Sequence, residues 1–165
     1  MEYWDLYDAN KKKIGKIVKR GDCLNDDEYH IVVNAWIRNS EGKYLISQRT
    51  ANKSHPLMWE TTGGSIVQGE DSIQGVIREV KEELNVDLFP EQGKLIGSGT
   101  RYYKGCPDIL DVYLFDVGDC SFDIQVQKEE VNDYKWASRE EIKNLNENGK
   151  FEATLFFDKI IDEKC

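Results

Sequence analysis

Between Gly64 and Val86 the chain reads GSIVQGEDSIQGVIREVKEELNV, and no other stretch limits the possible folds so strongly. Wound at about 3.6 residues per turn from Ser72, it puts Ile73, Val76, Ile77, Val80 and Leu84 on one stripe. Glu79, Glu82 and Glu83 fall together on another, at i, i+3 and i+4. Like charges at that spacing cost an isolated helix about 0.2–0.5 kcal/mol per pair, so a sequence shaped by stability alone would alternate their signs. Three clustered carboxylates beside an apolar stripe make physical sense around a divalent cation. Oxygen-only ligands suit Mg²⁺ or Mn²⁺ rather than zinc.

The competing reading is a solvated acidic face, and three details weigh against it. Gly75 lies one turn before Glu79, where a mid-helix glycine costs roughly 1 kcal/mol against alanine. Its missing side chain would let a loop or a phosphate approach the acidic face. Arg78 and Glu82 are an i, i+4 pair, so the arginine can hold that carboxylate in one rotamer. Gly63 and Gly64 sit where backbone must pass close to something.

The flanks read as strands. Trp4 to Tyr7 and Ile14 to Lys19 are a short pair across a turn at Asp8 to Lys11, and Tyr29 to Arg38 with Lys43 to Arg49 form a hairpin. Trp59 to Val67, Lys94 to Tyr103, Ile109 to Val117 and Asp133 to Trp136 are further strand candidates. Ser72 is expected to cap the acidic helix. Ser138 with Glu141 makes a capping box for a helix to about Asn146, and a last amphipathic helix is expected from Phe151 to Ile161. Strands early, late and between helices favour an α/β fold with a mixed sheet, held in a single domain over residues 1–165.

Composition narrows the partners. The net charge of −9 over 165 residues argues against nucleic acid or an anionic membrane, but a bound cation can bridge carboxylates to phosphate. Cys23, Cys106, Cys120 and Cys165 stand far apart with no C-x-x-C pair, and are expected to be reduced thiols. The first residues hold no apolar run of signal-peptide type, and no segment approaches membrane-spanning length. A cytoplasmic location is expected.

The segment Gly64 to Val86 resembles the Nudix box, G-x5-E-x7-R-E-U-x-E-E-x-G-U, with U a bulky apolar residue. Gly64, Glu70, Arg78, Glu79, Val80, Glu82, Glu83 and Val86 match in register. The one departure is Asn85, where the family has glycine. That position ends the helix in a left-handed conformation, which asparagine tolerates next best. Glu129, Glu130, Val131 and Trp136 with the capped helix look like the family's C-terminal half. The resemblance implies an α/β/α sandwich and a hydrolase that cleaves a diphosphate linked to another moiety, usually in a nucleoside diphosphate derivative. By position, Glu79, Glu82, Glu83 and the Gly63 carbonyl would hold Mg²⁺, with Mn²⁺ as the substitute. Arg78 would orient the box glutamates, while Glu70 and Gly64 would support the loop. The general base varies in the family; Glu82 and Glu130 are the candidates, Glu130 being preferred to Glu129 because it directly precedes Val131.

Outside the box, Arg49 ends a strand leading towards the loop and is read as a phosphate ligand. Trp59, Tyr102, Tyr103 and Phe157 are candidates for stacking a base, whereas His30 and His55 are read as structural. The first half also looks like the branch of Nudix proteins related to isopentenyl-diphosphate isomerase. Those isomerases carry a catalytic cysteine after the tryptophan loop, where this chain has Glu60, Thr61, Thr62, Gly63 and Gly64. Only His30 matches a histidine ligand. Nucleotide diphosphate hydrolysis is therefore preferred, with action on a prenyl diphosphate as the alternative and a non-catalytic nucleotide sensor as a third reading. The partner is a small nucleotide diphosphate derivative; a homodimer is left open.

Overall fold

Two strands, β1 (Tyr3–Tyr7) and β2 (Lys13–Lys19), pair antiparallel as a small sheet of their own in the computed structural model, which describes residues 1–162. The main sheet comprises β3 (His30–Asn39), β4 (Tyr44–Arg49), β5 (Trp59–Glu60), β6 (Thr62–Ser65), β7 (Gly93–Tyr103), β8 (Cys106–Gly118) and β9 (Val131–Ala137). The helices are α1 (Ser72–Leu84), α2 (Arg139–Glu147) and α3 (Phe157–Ile161). The order across the main sheet is β5-β4-β3-β8-β7, with β6 beside β3 and β9 beside β4. Its pairings are antiparallel except β3 with β8, which run parallel. The sheet is mixed, as the alternation of strands and helices predicts.

The two-residue period of β3 divides the core. Ile31, Val33, Ala35 and Ile37 point to one face, where Val76, Val80 and Leu84 of α1 pack. Trp36 points to the other, beneath Ile142 of α2 and Phe157 and Ile160 of α3. The result is an α/β/α sandwich. Each fully buried aliphatic side chain here contributes about 1.5–3 kcal/mol relative to exposure.

The small sheet is anchored on the first face. Trp4, Leu6 and Tyr7 are buried. Lys11, in a left-handed turn at φ 64°, reaches across to the fully buried Asp111 of β8 at 2.7 Å. The Ser72 hydroxyl donates to the same carboxylate at 2.6 Å.

That bond explains a correction to the expected cap. Asp71, not Ser72, is the N-cap: its carboxylate accepts from Gln74 N at 2.8 Å, and the Gln74 side chain accepts from Asp71 N at 2.9 Å. Ser72 is already helical and turned inwards. Asn85 does close the helix at φ 58°, and its side-chain Nδ2 also donates to Asp123 O at 3.0 Å. The Ser138–Glu141 box opens α2 as expected. The last helix is shorter than its periodicity suggested. Phe151 instead forms an isolated bridge with Trp59, and Phe156 adopts φ 67°, so the helix begins only at Phe157. The stretch from Trp59 is interrupted at Thr61, where the side chain of Asn34 accepts from the Thr61 hydroxyl and donates towards Thr61 O at 3.2 Å. Cys23, Cys106 and Cys120 are free thiols; Cys165 lies outside the described residues.

Candidate active site

The acidic helix carries its three carboxylates at three different depths. Glu83 is buried, Glu79 is mostly covered, and the Glu82 side chain is 53% exposed. Gly64 of β6 lets Glu79 lie against the sheet, since a Cβ there would stand 2.4 Å from the Glu79 carboxyl carbon. Gly63 passes equally close to β3, its absent Cβ 2.3 Å from Val33 O. Gly63 is thus required by its close approach to backbone, while Gly64 leaves room for the end of the Glu79 side chain.

Arg78 organises the surroundings. Its Nε and Nη2 donate to the two oxygens of Glu70 at 2.8 and 3.0 Å, and Nη2 also donates to Ser65 O at 3.2 Å. Its Nη1 donates to Glu79 at 3.0 Å and Glu82 at 3.2 Å. Glu70 accepts from Val67 N at 3.2 Å, which closes the loop before the helix. From the other side the first strand holds the same loop: Gln68 N donates to Tyr3 O, and Gly69 N to Asp5 Oδ2, both at 2.8 Å. Gly75 proves to face this loop and not the acidic side, because a Cβ there would meet Ile66 Cγ2 at 2.3 Å and Glu70 Oε1 at 2.9 Å.

Burial dominates the electrostatics. Desolvation pushes Glu83 up to about 8, helped by Glu79 and Glu60 and opposed by Lys53. Glu79 is raised to about 7 by desolvation, against the pull of Arg78. Glu60 is also raised, again first by desolvation. Among the described residues the Glu83 carboxylate has no hydrogen-bond or ion-pair partner of its own. A buried carboxylate without a partner is costly, and a cation is the natural compensation.

Glu83 faces a cleft of about 710 Å³ that also takes in Gly63, Gly64, Glu60, Arg49 and Lys53. A glycine-lined carboxylate helix opening on a cleft, built from one contiguous segment, decides the assignment when set beside known proteins. The NUDIX domain family matches residues 28–158. The chain belongs to the Nudix family. An uncharacterized Nudix hydrolase of Listeria monocytogenes is 33% identical, the alignment covering 99% of this chain and 96% of that one. An isopentenyl-diphosphate Delta-isomerase of Escherichia coli is 26% identical over 82% of this chain and 76% of its own length. The crystal structure of DR0079 from Deinococcus radiodurans shares the fold with a TM-score of 0.73 at 22% identity, covering 96% of this chain and 97% of that chain.

The Nudix chain is thus a hydrolase acting on pyrophosphate-containing substrates, in a family that acts on small nucleotide derivatives and generally depends on a divalent metal. Among the described residues no helix is long and apolar enough to cross a membrane. Nor are three acidic, histidine or cysteine side chains gathered there into a ready cation cage, because Arg78 draws Glu79 and Glu82 to itself. The donor set nonetheless fits a hard cation: carboxylate oxygens, one of them buried and unpartnered, beside glycines that leave room.

Outside the Nudix box the site departs from expectation. Arg49 lines the cleft but is held there: Nη1 donates to both Glu60 oxygens at 3.0 and 3.2 Å, and Nε donates to Ser54 O at 2.7 Å. The residue read as a phosphate ligand is therefore engaged by a carboxylate. Glu130, before β9, forms an ion pair with Lys53, and its charge is felt by Glu83. Of the proposed stacking aromatics, Phe157 is core, Tyr102 is exposed and Trp59 is covered by Lys135 at 4.7 Å. Tyr103 lines the cleft and donates to Glu152 at 2.9 Å. Glu60 and Glu152 were missed. A glutamate directly after Trp59 and just before the glycine pair was the available signal for the first; nothing local marked Glu152.

Proposed function

We propose that this chain is a Mg²⁺-dependent hydrolase of the diphosphate bond in a nucleoside diphosphate linked to another moiety. The observation that carries the reading is the buried, unpartnered Glu83 carboxylate at the edge of the cleft, flanked by Glu79 and backed by Gly63 and Gly64. Glu79, Glu82, Glu83 and the Gly63 carbonyl would hold the cation. Bound there, it supplies charge stabilisation for phosphate oxygens and lowers the pKa of water. Arg78 keeps Glu79 and Glu82 within reach and ties them to Glu70, so the loop and the acidic face move as one. Glu130, on its loop beside Lys53, is the base candidate able to take a proton from water, with Glu82 the other. Mn²⁺ is expected to substitute.

The test is turnover of a panel of nucleoside diphosphate derivatives with and without Mg²⁺, with the products identified. Cation-dependent release of a nucleoside monophosphate supports the reading; no release from any member removes it. Likeness to an isomerase keeps a second reading in view. The loop after Trp59 holds no cysteine, and Cys106, which does line the cleft, belongs to β8. Isomerisation of isopentenyl diphosphate in the same panel would favour that reading instead.

A further inference from the structure

On the cleft face β3 presents His30, Val32 and Asn34, and β8 presents Asp108 and Leu110. Farther along, the same face runs into Trp36, Val112 and Leu114, which are buried under α2 and α3. Polar groups collect at the strand starts and recur only beyond this apolar stretch, where Arg38 and Asp116 pair with each other at 2.7 Å. His30 pairs with Asp108, and Asp108 pairs with Arg101 of β7, so the three occupy one rung across three strands. The rung lies four residues along β3 from Asn34, the partner of Gly63, or about 13 Å at ~3.3 Å per residue.

Arg101 donates Nε and Nη2 to the buried Asp108 at 2.8 and 2.9 Å, and its guanidinium covers the Tyr103 ring at 4.7 Å. Among the described residues its Nη1 makes no hydrogen bond. His30 is 6% exposed and stacked on Trp4 at 3.9 Å, and its Nδ1 has no partner among the described residues. Arg20, held by Glu2 at 2.7 Å, lines the cleft within electrostatic reach of His30. A buried ion pair is weak support for stability, since apolar residues of similar volume commonly do as well. A planar guanidinium fixed by a carboxylate, with a free donor edge in a cleft, is what recognition of a phosphate needs.

We propose that Arg101 and Arg20, with His30 beside them, form an anion subsite at the far end of the cleft, which takes a phosphate monoester carried by the group linked to the diphosphate. The proposal deepens the diphosphate-hydrolase reading and rests on it. Asp108 is a positioning residue: it holds two guanidinium donors and leaves the third edge to the ligand.

Calorimetry tests it without turnover. Adenosine 2′,5′-bisphosphate or adenosine 3′,5′-bisphosphate should bind at least about tenfold more tightly than AMP. Arg20→Gln, at a largely exposed side chain, should reduce that ratio. The double variant Arg101→Gln, Asp108→Asn, which removes both charges together, should bring it towards unity. Equal affinities in wild type, no binding of either bisphosphate, or a ratio unchanged in both variants overturns the subsite. Hydrolysis of NADPH against NADH, and of coenzyme A against its dephospho form, separates the two readings. Bisphosphate preference with no diphosphate turned over in Mg²⁺ keeps the subsite and removes the hydrolysis reading. Turnover without preference for the phosphorylated member does the reverse.

Discussion

The two ends of the cleft are assembled in opposite ways. At the box end, Glu70, Arg78, Glu79, Glu82 and Glu83 come from one loop and one helix, and Arg78 bonds to three of those carboxylates. At the far end, His30, Asp108 and Arg101 come from three strands brought level by register, and Arg20 joins them from the segment after β2. The first arrangement depends on helical spacing and survives as long as the helix does. The second depends on the parallel pairing of β3 with β8 and on the neighbouring strand. Local construction gives precise carboxylate placement; long-range construction gives a surface whose composition can change strand by strand.

Four substitutions would break or sharpen that contrast. The largest effect is expected at the box end. Glu82→Gln should lower turnover by at least about 10²-fold, the scale of one lost preorganised electrostatic element. Its side chain is largely exposed and its partner Arg78 keeps Glu70 and Glu79, so stability without metal should not fall. Mg²⁺ should raise the melting temperature of wild type more than that of the variant. Melts that respond identically would show that Glu82 is not a ligand.

At the far end the expected signature is acid sensitivity. Burial, then Arg20 and Arg101, lower His30 from its ordinary 6.5 to about 4, with Asp108 on the neighbouring strand. A group with a lowered folded pKa binds fewer protons when folded. The stability associated with neutral His30 is therefore complete above about pH 6.5 and lost as the pH falls towards 4. His30→Phe keeps a ring to stack on Trp4 but cannot titrate. Denaturant melts at pH 7 and pH 4 should show wild type losing about 2–3 kcal/mol more than the variant. Parallel losses would mean that His30 is solvated or partnered in solution.

Gly75→Ala probes how tightly the box is built. The new methyl would overlap Ile66 and Glu70, so a loss of about 1–3 kcal/mol is expected in thermal unfolding, despite the better helix propensity of alanine. A more stable variant would show that the loop relaxes freely. The smallest effect is expected for Asn85→Gly. Glycine relieves the left-handed strain but deletes the bond to Asp123 O, so the net change should stay within about 1 kcal/mol. A larger loss would give Asn85 a role in tying α1 to the segment at Asp123.

These same two ends explain what could be read before the structure. The acidic helix, its apolar stripe and its left-handed end were legible because each depends on neighbours within a few turns. The cap was misplaced by one residue because Asp71 and Ser72 are both good cap formers, and only distant β8, through Asp111 and Tyr113, draws Ser72 inwards. Arg49 was read as a phosphate ligand with no sign of its carboxylate partner, because Glu60 lies on another strand. Phe151 to Ile161 had the right period for a helix, but Trp59 captures Phe151 in a bridge, and tertiary pairing overrides the pattern. The Arg101–Asp108 rung had no spacing to announce it.

The small N-terminal sheet has a consequence for where this protein can be cut or joined to another. The match to the family's domain begins at residue 28, yet the loop that carries Glu70 is bonded to Tyr3 and Asp5. Lys11 supplies the counter-charge for a carboxylate that is fully buried in β8. Trimming the chain to the boundary of that domain match would strip two donors at Gln68 and Gly69 of their acceptors and leave Asp111 without its cation. A fragment starting at Glu28 would retain every box residue and still lose the brace that sets their loop.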